Sequence, residues 1–243
     1  VTEPFRGTEE EAIEQLEALL RDAVKIRMLA DVPLGAFLSG GVDSSTVTAL
    51  MQAQSARPIR TFSIGLRETD YNEAQDAAAV ARHLGTEHTE LYVTSAEAMA
   101  VIPKLPMMYD EPFADSSQVP TFLLSQMARQ CVTVGLSGDG GDEVFGGYNR
   151  HVWCHWLWKT IGWLPHRARG VAAAAITTID VQNWELFFQL IEPLLPRGMR
   201  HRTPGYKLHK LAGIVALQNQ AAMYLGLASH WTDPPSVVIG AHE

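Results

Sequence analysis

The sequence predicts an α/β fold, with a parallel sheet and flanking helices over residues 1–150, followed by a mostly helical region over 151–243. Three observations carry this. Short apolar runs alternate with helical stretches up to residue 136, the pattern of a parallel sheet with crossover helices. Two glycine-rich loops, 39–45 and 137–147, each follow such an apolar run. Composition changes near residue 150. Residues 1–150 hold 11 Lys/Arg and 22 Asp/Glu, whereas 151–243 hold 8 and 5, together with all six tryptophans.

The elements follow in order. Thr8 with Glu11 three residues later reads as a capping box. Ile13, Leu16, Leu20 and Val24 then recur at helical spacing, so a helix is expected over 9–30, ended by Asp31-Val32-Pro33. Leu34 to Leu38 has the length of a buried strand. After the first glycine-rich loop a helix is expected from Thr46 to Gln54, then a strand over 60–65. A helix over 73–84 closes at Gly85, and a strand runs from His88 to Val93. Pro120 to Gln130 reads as a helix with Pro in its first turn, and Cys131 to Leu136 as the fourth strand. Beyond 150, helices are expected at 151–164, 172–176 and 211–227.

Ligands of open parallel sheets sit beyond the carboxyl ends of the strands, and both glycine-rich loops fall there. In Ser39-Gly40-Gly41-Val42-Asp43-Ser44-Ser45, paired glycines let backbone N–H groups approach an anion. The serines add hydroxyls, and a helix N-terminus adds positive potential. The loop lacks the lysine of a GxxxxGK[ST] motif, so it is not a kinase-type phosphate loop. Asp43 would repel a phosphate unless a cation lay between them, which points to Mg²⁺. The second loop, SGDGGDEVFGGY from Ser137 to Tyr148, carries three acids among its glycines. Asp142 is the natural second carboxylate, reaching the same ion from a separate loop. The bland alternatives are a helix-capping turn and an acidic surface turn.

SGGVDSS resembles the loop of the PP-loop ATP pyrophosphatases, which cleave ATP between the α- and β-phosphates and adenylate a substrate. SGDGGDEVFGGY narrows the resemblance to the synthetase domain of the glutamine-hydrolysing asparagine synthetase family. DVPLGAFL (31–38) and YDEPFADSS (109–117) agree with it. The resemblance implies an adenine nucleotide alpha hydrolase-like fold. It implies pyrophosphate held by Ser39, Gly40, Gly41, Asp43, Ser44 and Ser45, and Mg²⁺ held by Asp43 and Asp142. Leu38, Ile64, Gly138 and Tyr148 would line the nucleotide pocket, with Ser137 and Gly138 near an aspartyl-AMP. Asp139 stands where an acidic residue is implicated in proton handling during amination, and where some members have the longer Glu. The implied reaction adenylates aspartate with ATP and aminates it with ammonia to asparagine. Other readings remain open: an amidotransferase or β-lactam synthetase-like relative using another carboxylate, or a nucleotide-binding module without catalysis.

Family members usually begin with a glutaminase domain bearing an N-terminal cysteine nucleophile. The stretch before the first helix is about eight residues here, so that domain is expected to be missing from this chain, with little or no activity in isolation. The region after 150 is expected to be truncated, and neither Lys207 nor Lys210 is equated with the family's late lysine. The remaining expectations are blander. The net charge of −8 argues against duplex nucleic acid as a partner. Cys131 and Cys154 are too few for a disulfide framework, and Cys131 is expected in the core. No apolar run approaches the ~20 residues of a membrane span. A cytoplasmic protein acting on small molecules is expected, with a homodimer left open. The tryptophan-rich run 153–163 is expected to be a buried helix face or a partner interface.

Overall fold

A computed structural model describes residues 3–67, 73–110, 115–192 and 203–229. They fall into two compact units within residues 1–142 and 143–243.

In the first unit, helix α1 (Glu9–Arg27) begins at the expected capping box, with Thr8 accepting from the Glu11 N–H and Glu11 accepting from the Thr8 N–H. It ends three residues before the expected boundary, at a Met28 cap. Of its apolar positions only Val24 is buried, and Ile13 and Leu16 are exposed. Strand β1 (Leu34–Phe37) leads to α2 (Val42–Ala53), β2 (Arg60–Leu66), α3 (Glu73–Leu84) and β3 (Glu87–Val93). Then come α4 (Ser95–Met99), a 3-10 turn over Ile102–Met107, α5 (Gln118–Ala128), β4 (Val134–Leu136) and the one-turn helix α6 (Gly141–Phe145).

The four strands are all parallel, in the order β3-β2-β1-β4. The chain steps outward from β1 to β3, then returns to place β4 on the other side of β1. That reversal opens a crevice at the carboxyl ends of β1 and β4. Alternation along each strand sorts the helices onto faces. Ala36 packs with Val24 of α1 and Met51 of α2, and Leu38, two residues on, packs with Ala77 and Ala81 of α3. Phe37 and Phe62 point the other way, toward Ala128 and Leu124 of α5. Phe62 is 1% exposed, and burying such a ring contributes roughly 1.5–3 kcal/mol.

Several expectations need correction. Helix α2 starts at Val42, four residues early, because Gly41 already has the extended conformation of an N-cap. Asp43, Ser44 and Ser45 therefore stand on helical backbone. Strand β4 begins at Val134 instead of Cys131, since residues 129–132 still bond back onto the end of α5. Cys131 in that turn is exposed instead of buried. The short helical segments 95–99, 102–107 and 141–145 lay within stretches given no helix, being too brief to show a period.

The second unit contains α7 (Asn149–Ile161), α8 (His166–Thr178), α9 (Val181–Ile191), α10 (Pro204–Val215) and α11 (Gln220–Ala228). No strand occurs among its described residues. The expected single helix 211–227 is two helices, separated where the Asn219 side chain caps α11 by accepting from the Ala222 N–H at 2.8 Å. Helix α9, absent from the sequence reading, is fixed by the Asp180 cap and by Trp184, whose indole N–H donates to the Ile176 carbonyl at 2.9 Å. Cys154, Ile214 and Met223 form a small core with Trp158 at its edge. Of the tryptophan-rich run, Trp153, Trp156 and Trp163 are exposed. Arg169 is buried at 3% exposure and its guanidinium donates to the carbonyls of Leu164, Val215, Leu217 and Gln218. No helix among the described residues is long and apolar enough to cross a membrane.

Candidate active site

Both glycine-rich loops leave adjacent strands at the crevice, and their glycines make the contact between them possible. A β-carbon on Gly138 would stand 2.6 Å from the Ser44 nitrogen, and one on Gly141 2.5 Å from the Asp43 carboxyl carbon. The second loop thus lies directly on the first turn of α2. Asp43 is on that turn, and Asp142 directly follows Gly141 in the sequence. Asp139 sits between the two glycines and accepts from the Ser137 hydroxyl at 2.9 Å. Among the described residues no three His, Cys, Asp or Glu side chains converge as a metal-binding group.

The first loop is shaped by its own hydroxyls. The Ser39 and Ser44 oxygens are 2.9 Å apart, the Ser39 N–H donates to Ser44 Oγ at 3.2 Å, and the Gly41 N–H donates to Ser39 Oγ at 3.3 Å. Gly40 has φ +82°, and a β-carbon there would strike Asp76 and Ala77 of α3, so glycine is required on both counts. Gly41 caps α2 without a side-chain bond, leaving first-turn N–H groups open to an outside acceptor. The Ser45 hydroxyl is buried with no hydrogen-bond partner. Uncapped amides, an orphaned hydroxyl and a carboxylate beside them make a donor set that fits a polyphosphate accompanied by a divalent cation.

The other expected residues fall in three places. Leu38 is 2% exposed beneath α3, and its N–H donates to the Phe62 carbonyl, so its side chain serves packing. Ile64 lines a cavity of about 530 Å³ at the carboxyl ends of β2 and β3, with Glu73, Val93, Ser95, Met99 and Ser116. The sequence reading missed all of that lining except Ile64, although strand-end positions in a parallel sheet are a usable signal. Tyr148 belongs to the second unit and donates to Glu143. In the YDEPFADSS stretch, 111–114 lie outside the described residues. Asp115 accepts from the Ser117 N–H at 2.8 Å just before α5.

The family model for asparagine synthase matches residues 15–242. This chain belongs to the asparagine synthase family. A Methanocaldococcus jannaschii protein, assigned provisionally as a glutamine-hydrolysing asparagine synthetase, is 50% identical over 141 residues, covering 58% of this chain and 27% of that protein. The Bacillus subtilis glutamine-hydrolysing asparagine synthetase 1 is 36% identical over 147 residues, covering 60% and 23%. The chain thus spans about a quarter of the length of these curated relatives. Among solved structures, NMN synthetase from Francisella tularensis overlaps 59% of each chain at 19% identity and a TM-score of 0.40, too slight a likeness to argue from.

Proposed function

We propose that this chain is the synthetase part of an asparagine synthetase, which adenylates aspartate and passes the activated acyl group to ammonia. The observation that carries the reading is the contact of Gly138 and Gly141 with Ser44 and Asp43, which sets the loop bearing Asp142 against the uncapped N-terminus of α2. In this reading the first-turn amides of α2, with the Ser45 hydroxyl, receive the β- and γ-phosphates. Asp43 and Asp142 would hold Mg²⁺, which when bound offsets charge on the departing pyrophosphate. The base and ribose extend along the strand ends toward Ile64 and its cavity. A carboxylate oxygen of aspartate attacks the α-phosphorus, the bond to the β-phosphate oxygen breaks, and pyrophosphate leaves. Ammonia then attacks the acyl carbon, the bond to AMP breaks, and Asp139 takes the proton that nitrogen loses.

The reading extends to the cell: a cytoplasmic enzyme of amino-acid biosynthesis, supplied with ammonia by a glutaminase domain. ATP–pyrophosphate exchange dependent on aspartate tests it, with AMP and asparagine assayed after ammonium is added. Exchange with a different carboxylate and not with aspartate moves the chain to another amide- or lactam-forming relative. Mg·ATP binding without exchange for any carboxylate leaves a nucleotide-binding module.

A further inference from the structure

Helix α6 carries Asp142 and yet has little to hold it. It is one turn of five residues with none buried, and its two large apolar side chains, Val144 and Phe145, are exposed. A helix this short does not persist on its own hydrogen bonds. At its front, the Gly141 N–H donates to the Gly138 carbonyl at 3.2 Å. At its back, the chain turns at Gly146 and Gly147 so that the Tyr148 hydroxyl donates to Glu143 on α6 itself. The ring that carries this hydroxyl is held in turn. The Arg150 guanidinium lies 3.7 Å from its centroid, and His151 stacks beside it while also stacking on Tyr224 at 5.2 Å.

We propose that Tyr148 and Glu143 are positioning residues: their hydrogen bond staples the one-turn helix α6 and so fixes the neighbouring Asp142 carboxylate for a divalent cation accompanying ATP. This rests on the reading of Asp142 given above and adds two residues that act through it. It also gives Tyr148 a task other than lining a nucleotide pocket.

The test titrates Mg²⁺ against ATP binding in the 243-residue chain, with AMP in the absence of metal as the probe that needs no cation. Tyr148→Phe keeps the ring and removes the staple, and Glu143→Gln weakens it from the other side without touching the aromatic stack. Each variant is expected to need about tenfold more Mg²⁺ for half-maximal ATP binding, the scale of one hydrogen bond to a charged group. AMP affinity and melting temperature stay unchanged, and the double variant is no worse than either single one. Should Tyr148→Phe lower the melting temperature, Glu143→Gln decides alone. An unchanged Mg²⁺ midpoint in both variants overturns the proposal. So does a loss of AMP and ATP affinity by the same factor in Tyr148→Phe with Glu143→Gln normal, which places Tyr148 against the nucleotide. Absence of Mg²⁺-dependent ATP binding in the parent chain removes the underlying reading, and the staple's role with it.

Discussion

The carboxyl carbon of Asp43 lies so close to Gly141 that a β-carbon there would stand only 2.5 Å away. The two residues are 98 positions apart in sequence and belong to different loops. No room exists between them for a methyl group, so Gly141→Ala must displace the Asp43 carboxylate or the loop that carries Gly141. Gly138→Ala has the same effect against the Ser44 backbone, which gives way less readily than a side chain. Both variants are expected to bind Mg·ATP roughly 10- to 100-fold more weakly, the usual cost of a displacement near 1 Å in a site. Equilibrium ATP titration, with thermal melting to confirm the fold, checks this.

The three acids are expected to separate by step. Asp43→Asn and Asp142→Asn should remove the Mg²⁺ dependence of ATP binding and with it aspartate-dependent pyrophosphate exchange. Asp139→Asn should retain exchange while slowing amide formation about 10²-fold or more, the common contribution of a positioned proton acceptor. Parallel assays of exchange and of asparagine formation distinguish the two patterns.

In the second unit, Arg169 terminates α10. Its guanidinium satisfies the Val215, Leu217 and Gln218 carbonyls at 3.0, 2.8 and 3.2 Å, and lies over the Trp158 ring. Arg169→Met should destabilise this unit by about 2–4 kcal/mol, because several carbonyls lose their donor together. Arg169→Lys should recover little of it, since one ammonium cannot span carbonyls that a planar fork reaches at once. Denaturant unfolding followed by tryptophan fluorescence measures both.

His88 sets an acid limit on stability. Its Nδ1 is 2.9 Å from the Thr61 hydroxyl and its Nε2 3.1 Å from that of Ser63. Burial holds its pKa below the ordinary value near 6.5, against the opposing pull of the Glu90 carboxylate. The unfolded chain therefore binds the proton at a higher pH than the folded one. The stability present above pH 6.5 is lost as pH falls through the lower folded value. His88→Gln should flatten the melting temperature between pH 7 and pH 5 relative to the parent. An equally steep decline would assign the acid sensitivity to other groups.

The sheet and the site loops were legible from sequence because each carries a local signature. The capping box at Thr8, the apolar run 34–38 and the glycines of both loops report their structure within a few residues. The position of Asp43 on helical backbone was less legible, since Gly41 caps α2 by conformation and offers no side chain to read. Helix α9 was missed although Val181, Trp184, Phe188 and Ile191 recur at helical spacing, a stripe that the sequence does show. Cys131 was placed in the core on residue type alone, whereas the turn it occupies faces solvent. The contact of Gly138 and Gly141 with α2 depends on a strand order that no local pattern contains.

That strand order also governs when the crevice can exist. Leu34 of β1 pairs with Val134 of β4 across one hundred residues, whereas β2 and β3 join much closer in sequence. Closing so long a loop is entropically costly and slow compared with local pairings. The first turn of α2 can form early, but the glycine-rich acidic loop reaches it only once β4 has docked. The proposed cation-dependent nucleotide binding is therefore expected late in refolding, and its appearance in time would report the docking of the last strand.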